Sequence, residues 1–177
     1  MRVRSHRWAL VWILAAATAQ AQSSAPGVTD FSGANAGKIQ VTDITEALAV
    51  PRGTRIEASA PPTIRLPIFF EFNSAQLRPD ANQLLDKVSA ALASGELETF
   101  RFSIEGHTDD VGSPEYNATL SAERAAAVQN YLLAKGVPRD RIGTIGHGEA
   151  APVVPNDSEQ HRQQNRRVEI INLGATQ

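Results

Sequence analysis

Residues 99–124 read TFRFSIEGHTDDVGSPEYNATLSAER, and the fold turns on how they are parsed. Phe100, Phe102 and Ile104 alternate with polar residues, which predicts a strand over 99–105 with one buried face. A polar loop carrying His107, Thr108, Asp109 and Asp110 follows. The spacing of Ala125, Val128 and Leu132 then predicts a helix over 121–135, with Ser121 as N-cap and Gly136 as the stop. Polar groups therefore gather where a strand hands over to a helix, the place where open α/β sheets take up ligands. On this parsing Arg124 lies in the first helical turn, where the helix dipole disfavours a cation. Two readings stand: an arginine held there for a carboxylate ligand, or a solvated arginine, free or paired with Glu115.

On the N-terminal side, residues 64–72 (IRLPIFFEF) place Ile64, Leu66, Ile68, Phe70 and Phe72 on one face of a strand, and Pro67 marks it as lying at or near a sheet edge. Pro79 opens a helix whose apolar stripe is Leu84, Leu85, Val88 and Leu92, closed by Gly95. On the C-terminal side, strands are expected at 141–145 and 168–173. The Gly-, Pro- and Asn-rich stretch 146–165 joins them, with a helical turn near Ser158. The order βαβαβ-β defines an α/β (α+β) sandwich, a small mixed sheet covered by helices. Within Asn165-Arg166-Arg167-Val168-Glu169, alternation sends Arg166 and Val168 to one face and Arg167 and Glu169 to the other. Arg167 is expected to pair with Glu169 or Glu105, whereas Arg166 points toward whatever the sheet end presents.

Residues 1–21 carry Arg2, Arg4 and Arg7, an apolar run from Trp8 to Ala19, and Ala19-Gln20-Ala21, the pattern of a secretory signal peptide cleaved after Ala21. The apolar run is too short for a membrane span, which needs about 20 residues. Cleavage leaves 156 of the 177 residues, with 14 basic against 19 acidic side chains and a formal charge of −5. That balance argues against nucleic acid or an anionic membrane surface as partner. The chain has no cysteine. Disulfides and a thiol nucleophile are therefore excluded, as is a lipid anchor on a cysteine after the signal peptide. Residues 22–62 read as a flexible linker poor in large apolar side chains, interrupted by a short helix near 42–49. Residues 63–173 hold every predicted core element and are expected to fold alone.

No G-x-S-x-G or comparable nucleophile setting occurs, so the chain is read as non-enzymatic and without a cofactor. A metal site built from His107 with Asp109, or from His147 with Glu149, matches no known ligand spacing. Both histidines are accordingly read as hydrogen-bonding or packing residues, with no metal.

Five segments taken together resemble the OmpA-like peptidoglycan-binding domain: Phe70-Glu71-Phe72-Asn73-Ser74-Ala75-Gln76-Leu77, Glu105-Gly106-His107-Thr108-Asp109, Asn117-Ala118-Thr119-Leu120-Ser121-Ala122-Glu123-Arg124-Ala125, Gly146-His147-Gly148-Glu149 and Asn165-Arg166-Arg167-Val168-Glu169. They recur in order across about residues 63–173, which makes the resemblance specific. It implies non-covalent binding of peptidoglycan through its diaminopimelate side chain. By the same resemblance Asp109 takes the ligand's amine and Arg124 its carboxylate, with Asn73, Asn117 and Arg166 lining the pocket and Thr108 and His107 in the signature loop. The chain departs from the family pattern at His161, which precedes Arg162 where a glycine often stands. The expected setting is the periplasm of a Gram-negative cell, wall-bound and associated with the outer membrane, with other envelope proteins as further partners. The alternative is an exported assembly protein whose OmpA-like fold serves protein contacts.

Overall fold

The computed structural model describes residues 22–25, 27–33, 37–50, 60–68, 70, 71 and 73–175. The signal-peptide reading, on residues 1–21, lies outside them, as does Phe72 of the first predicted strand. Six strands form one mixed sheet: β1 Gln22–Ala25, β2 Val28–Asp30, β3 Thr63–Leu66, β4 Phe100–Gly106, β5 Ile142–Gly146 and β6 Val168–Ala175. Their spatial order is β1-β2-β3-β6-β4-β5. The last strand, β6, runs antiparallel between β3 and β4, and β5 runs parallel to β4 at the edge.

The helices are α1 Val41–Leu48, α2 Pro79–Leu92, α3 Pro114–Ala134 and the short α4 Glu159–Asn165. Leu84, Leu85, Val88 and Leu92 of α2 and Ala125, Val128 and Leu132 of α3 pack with Ile64, Leu66, Phe102, Ile104, Val168 and Ile170 of the sheet in one apolar cluster. The opposite sheet face carries Arg65, Ser103, Glu105 and Glu169 instead. The βαβαβ-β order of the sequence reading is therefore present, with two strands and a helix ahead of it.

Three expectations are corrected. The predicted linker over residues 22–62 is, where described, part of the sheet and core. Strand β2 pairs in parallel with β3, and Phe31, Ile39, Ile44 and Leu48 join the apolar cluster. Lys87 Nζ fastens this segment by donating to the carbonyls of Gly37 (3.1 Å) and Ile39 (2.6 Å), and Asn172 Nδ2 donates to that of Leu48 (2.8 Å). Average composition conceals such anchoring, because a few large side chains spaced through polar sequence suffice when an existing sheet edge and core receive them. Secondly, β3 ends at Leu66 and is an interior strand. Pro67 lies just beyond the ladder, where the missing N–H costs nothing.

Thirdly, α3 begins seven residues before the predicted start, with Pro114 as its first helical residue and Ser113 as the cap accepting from Tyr116 N. Proline at N1 after a serine is a strong start signal. Ser121 is a fully buried mid-helix residue. Its Oγ donates to Ala118 O (2.9 Å) and accepts from Gly148 N (2.8 Å), pinning the helix to the β5 exit.

That close approach depends on glycine. A Cβ on Gly146 would stand 2.5 Å from the backbone nitrogen of Ala122, and one on Gly106 would meet the carbonyl oxygen of Ser121. Bare backbone at the ends of β4 and β5 lets α3 lie against both strand exits.

Candidate functional site

The loop from His107 to Ser113 connects β4 to α3 and is held from both sides. His107 N donates to Arg167 O (3.0 Å) and Thr108 N to Gly148 O (2.9 Å). Asp109 Oδ1 accepts from Val111 N (3.1 Å), which turns the carboxylate back over its own loop. Asn117, in the first turns of α3, donates through Nδ2 to Asp109 O (3.3 Å) and to Glu149 Oε2 (2.6 Å). Asn117 thereby ties the β4–α3 loop to the β5 exit.

All six residues assigned from sequence, Asn73, Thr108, Asp109, Asn117, Arg124 and Arg166, line one pocket of about 470 Å³. Arg124 lies ten residues beyond Pro114, well inside α3, so the helix-dipole argument made for it does not apply. Its guanidinium sits 5.0 Å from the centre of the Phe70 ring, and Nε donates to Ser74 O (3.1 Å). No carboxylate lies within salt-bridge distance of Arg124 among the described residues, so the expected alternative pairing with Glu115 does not form. Burial lowers its pKa from the ordinary arginine value, the charge of Arg166 acts in the same direction, and Tyr116 and Asp109 oppose them.

Arg166 faces Asp109 across the pocket, with Nη1 2.5 Å from Asp109 Oδ2 and Nη2 2.6 Å from Glu159 Oε1. Burial alone would lower the Arg166 pKa, but hydrogen bonds to the two carboxylates outweigh it and raise the value. Asn73 adopts the left-handed conformation (φ 53°), and its Oδ1 accepts from Tyr116 Oη. A non-glycine residue held there marks a local conformation imposed by its surroundings.

The sequence reading missed Phe70, Arg78, Tyr116 and Glu159 as pocket residues. Tyr116 became visible only once the helix started at Pro114. Glu159 belongs to α4, whose start is legible as the cap Ser158 accepting from His161 N. The family departure at His161 thus falls inside a short helix.

His107 does not enter this pocket. It lies on the opposite side of the sheet, its ring stacked on His147 with centroids 4.9 Å apart and planes 11° from parallel. The pairings imagined from sequence, His107 with Asp109 and His147 with Glu149, do not form. Glu149 turns to Asn117, while His147 Nε2 lies 2.6 Å from Glu105 Oε2. Burial, with the charge of Arg167, pushes the His107 pKa down to about 3, so this ring is neutral. On the same face Arg167 pairs with Glu169 (2.7 Å), as expected, and Arg65 shares that carboxylate (2.8 Å). Burial would raise the Glu169 pKa, but hydrogen bonds from both arginines hold it below the usual value.

The mixed sheet and the helix seated on its strand exits define an α/β domain that carries a pocket of opposed charges. The OmpA family model matches residues 69–166, more than half of the chain, and the chain belongs to the OmpA family. It is 35% identical over 160 residues to a peptidoglycan-associated lipoprotein of Pseudomonas putida, covering 88% of this chain and 93% of that one. With an outer membrane protein A of Bordetella avium it shares 41% identity over 107 residues, 60% of this chain and 54% of the relative, so it spans little more than half of that protein's length. The crystal structure of the peptidoglycan-associated lipoprotein from Burkholderia pseudomallei superposes with a TM-score of 0.55 at 30% identity, covering 59% of this chain and 87% of that chain.

Proposed function

We propose that the pocket binds peptidoglycan non-covalently through the diaminopimelate side chain of the stem peptide and so holds the protein at the cell wall of a Gram-negative envelope, without catalysis. The observation that carries this reading is the placement of Asp109 and Arg124 in one pocket, with Arg124 buried yet lacking a carboxylate partner among the described residues. The names of the Pseudomonas and Burkholderia relatives support it. Diaminopimelate ends in an ammonium and a carboxylate on one carbon, so its receptor needs an anion and a cation a few ångströms apart, both preorganised.

Asp109 accepts the ammonium, which competes with Arg166 for Oδ2 while Arg166 retains Glu159. Arg124 takes the carboxylate, with Phe70 beneath its guanidinium plane and Ser74 O fixing its Nε. The helix N-terminus plays no part, since Arg124 lies well inside α3. Asn117 and Tyr116 hold the two loops that carry Asp109 and Asn73. In this reading the protein resides in the periplasm, associated with the outer membrane through the wall. Among the described residues no helix is long and apolar enough to cross a membrane.

The test is a titration of soluble muropeptides of diaminopimelate and lysine type. A lysine side chain offers the amine but no distal carboxylate, leaving Arg124 unmatched. An unmatched member of a desolvated charge pair costs about 2–5 kcal/mol, or about thirtyfold and upward in affinity. Arg124→Ala should remove the preference, and Asp109→Ala should weaken binding to both ligands, with circular dichroism confirming the fold. Equal affinity of the wild type for both muropeptides would refute the role of Arg124. Unchanged binding by a folded Asp109→Ala protein would refute the site.

A further inference from the structure

The sheet face turned away from α2 and α3 holds a cluster that the pocket does not use. Parallel pairing of β4 with β5 sets Gly106 beside Gly146, so the next residues, His107 and His147, leave the sheet side by side. Glu105 precedes them on the same face of β4. One ligand atom from each of Glu105, His107 and His147 lies within 4.8 Å of those of the other two.

His107 is 4% exposed, and neither of its ring nitrogens has a hydrogen-bond partner among the described residues. A buried polar group left in that state destabilises the fold, and native proteins keep few of them. The neighbouring guanidinium cannot relieve it, because the Arg167 nitrogens are committed to Glu169, Asn165 O and Ala151 O.

We propose that Glu105, His107 and His147 bind one divalent transition-metal ion, with zinc the matching chemistry. Two imidazoles and one carboxylate form a common three-residue zinc ligand set, which leaves a position open to water or a further ligand. The ion takes the place of the proton between His147 and Glu105 and supplies the partner that His107 lacks. Tetrahedral bonds of about 2.0–2.2 Å set ligand atoms about 3.4 Å from one another, so His147 Nε2 and Glu105 Oε2 part from their 2.6 Å contact to admit the ion while His107 closes on it. His147, with a side chain 32% exposed, has room to turn. The arginines on this face do not repel the ion unopposed, since Arg65 and Arg167 both pair with Glu169. With no cysteine in the chain, the set favours borderline ions over soft ones.

The whole chain, stripped with a chelator, is titrated with zinc by calorimetry, and the cobalt-substituted form is inspected for four-coordinate ligand-field bands. One ion per chain should bind with micromolar or tighter affinity, and Glu105→Gln and His147→Ala should each weaken it at least tenfold. His161→Ala, remote from the cluster, should leave it unchanged. Asp109→Ala should bind zinc like the wild type, which separates this site from the muropeptide pocket. Independently of any variant, zinc should shift the imidazole ¹⁵N resonances of His107 and His147 and leave those of His161 in place. Absence of binding by the wild type, retention by both cluster variants, loss in His161→Ala, or unmoved His107 and His147 resonances would each overturn the proposal.

Discussion

Arg166 and Arg167 are adjacent in the chain and serve opposite sides of the sheet. Arg166 reaches the pocket with a side chain 32% exposed and divides its donors between Asp109 and the largely exposed Glu159. Arg167, 5% exposed, is locked to Glu169, which a second arginine also holds. The same functional group thus forms an exchangeable contact on one face and a fixed one on the other. Water makes the difference. A guanidinium at a wet rim can trade a protein carboxylate for a ligand at small net cost, whereas a buried one has no substitute partner.

The strongest way to break this contrast is Glu169→Ala, which strands the buried Arg167 without its carboxylate, while Arg65 keeps Asp30 (3.6 Å). The expected loss is about 3–5 kcal/mol in denaturant unfolding, and a loss below about 1 kcal/mol would show that water already reaches that face. Next comes Ile44→Ala in α1, fully buried against the core. It should cost about 2–5 kcal/mol, and a neutral outcome would return residues 41–48 to the status of a detachable linker. The same reasoning reverses the expectation that residues 63–173 fold unaided at full stability.

Acid should act chiefly on the buried face. The metal-free His107 ring has its pKa lowered from 6.5 to about 3, so between those values the unfolded chain binds the proton more tightly than the folded one. The stability that this neutral ring contributes is full above pH 6.5 and is lost as pH falls toward 3. At about 1.4 kcal/mol per pH unit, the drop from pH 6.5 to 4.5 is about 2–3 kcal/mol. Thermal melts across that range should follow it, and His107→Gln should flatten the curve; equal slopes in both proteins would sink the assignment. The smallest effect belongs to Glu159→Ala. Removing this exposed partner of Arg166 should change stability by less than about 1 kcal/mol, and a loss comparable to that of Glu169→Ala would erase the contrast between the two faces.

The strands and helices of the central fold were legible because their patterns are local: the alternation through Phe100, Phe102 and Ile104, and the stripe of Leu84, Leu85, Val88 and Leu92. Asp109 and Arg124 emerged from the resemblance rather than from the residues alone. The dipole argument for Arg124 failed with the helix start on which it stood. Ser113-Pro114 was the better start signal, but Asn117 and Thr119, weak helix formers, masked the continuity of α3 through Ser121. The N-terminal strands were not legible, since Val28, Phe31 and Ile39 acquire a role only when β3 and the core receive them. Nor was the Glu105, His107 and His147 cluster. It is created by the β4–β5 register across about 40 residues of chain, which no local pattern encodes.

Gly106 and Gly146 act on the pocket from behind as a missing shim. The atoms nearest a methyl group at either position belong to the backbone of α3, joined at Gly146 by Ser121 Oγ, so turning a side chain aside does not make room. Relief requires the helix itself to lift, and Arg124 would travel with it, away from Phe70 and from the loop that carries Asp109. The width of the gap between the two charges is therefore metered by two absent carbon atoms. A designer seeking a receptor for a longer zwitterion would begin there, thickening the joint between helix and sheet while leaving the residues that grip the ligand as they are.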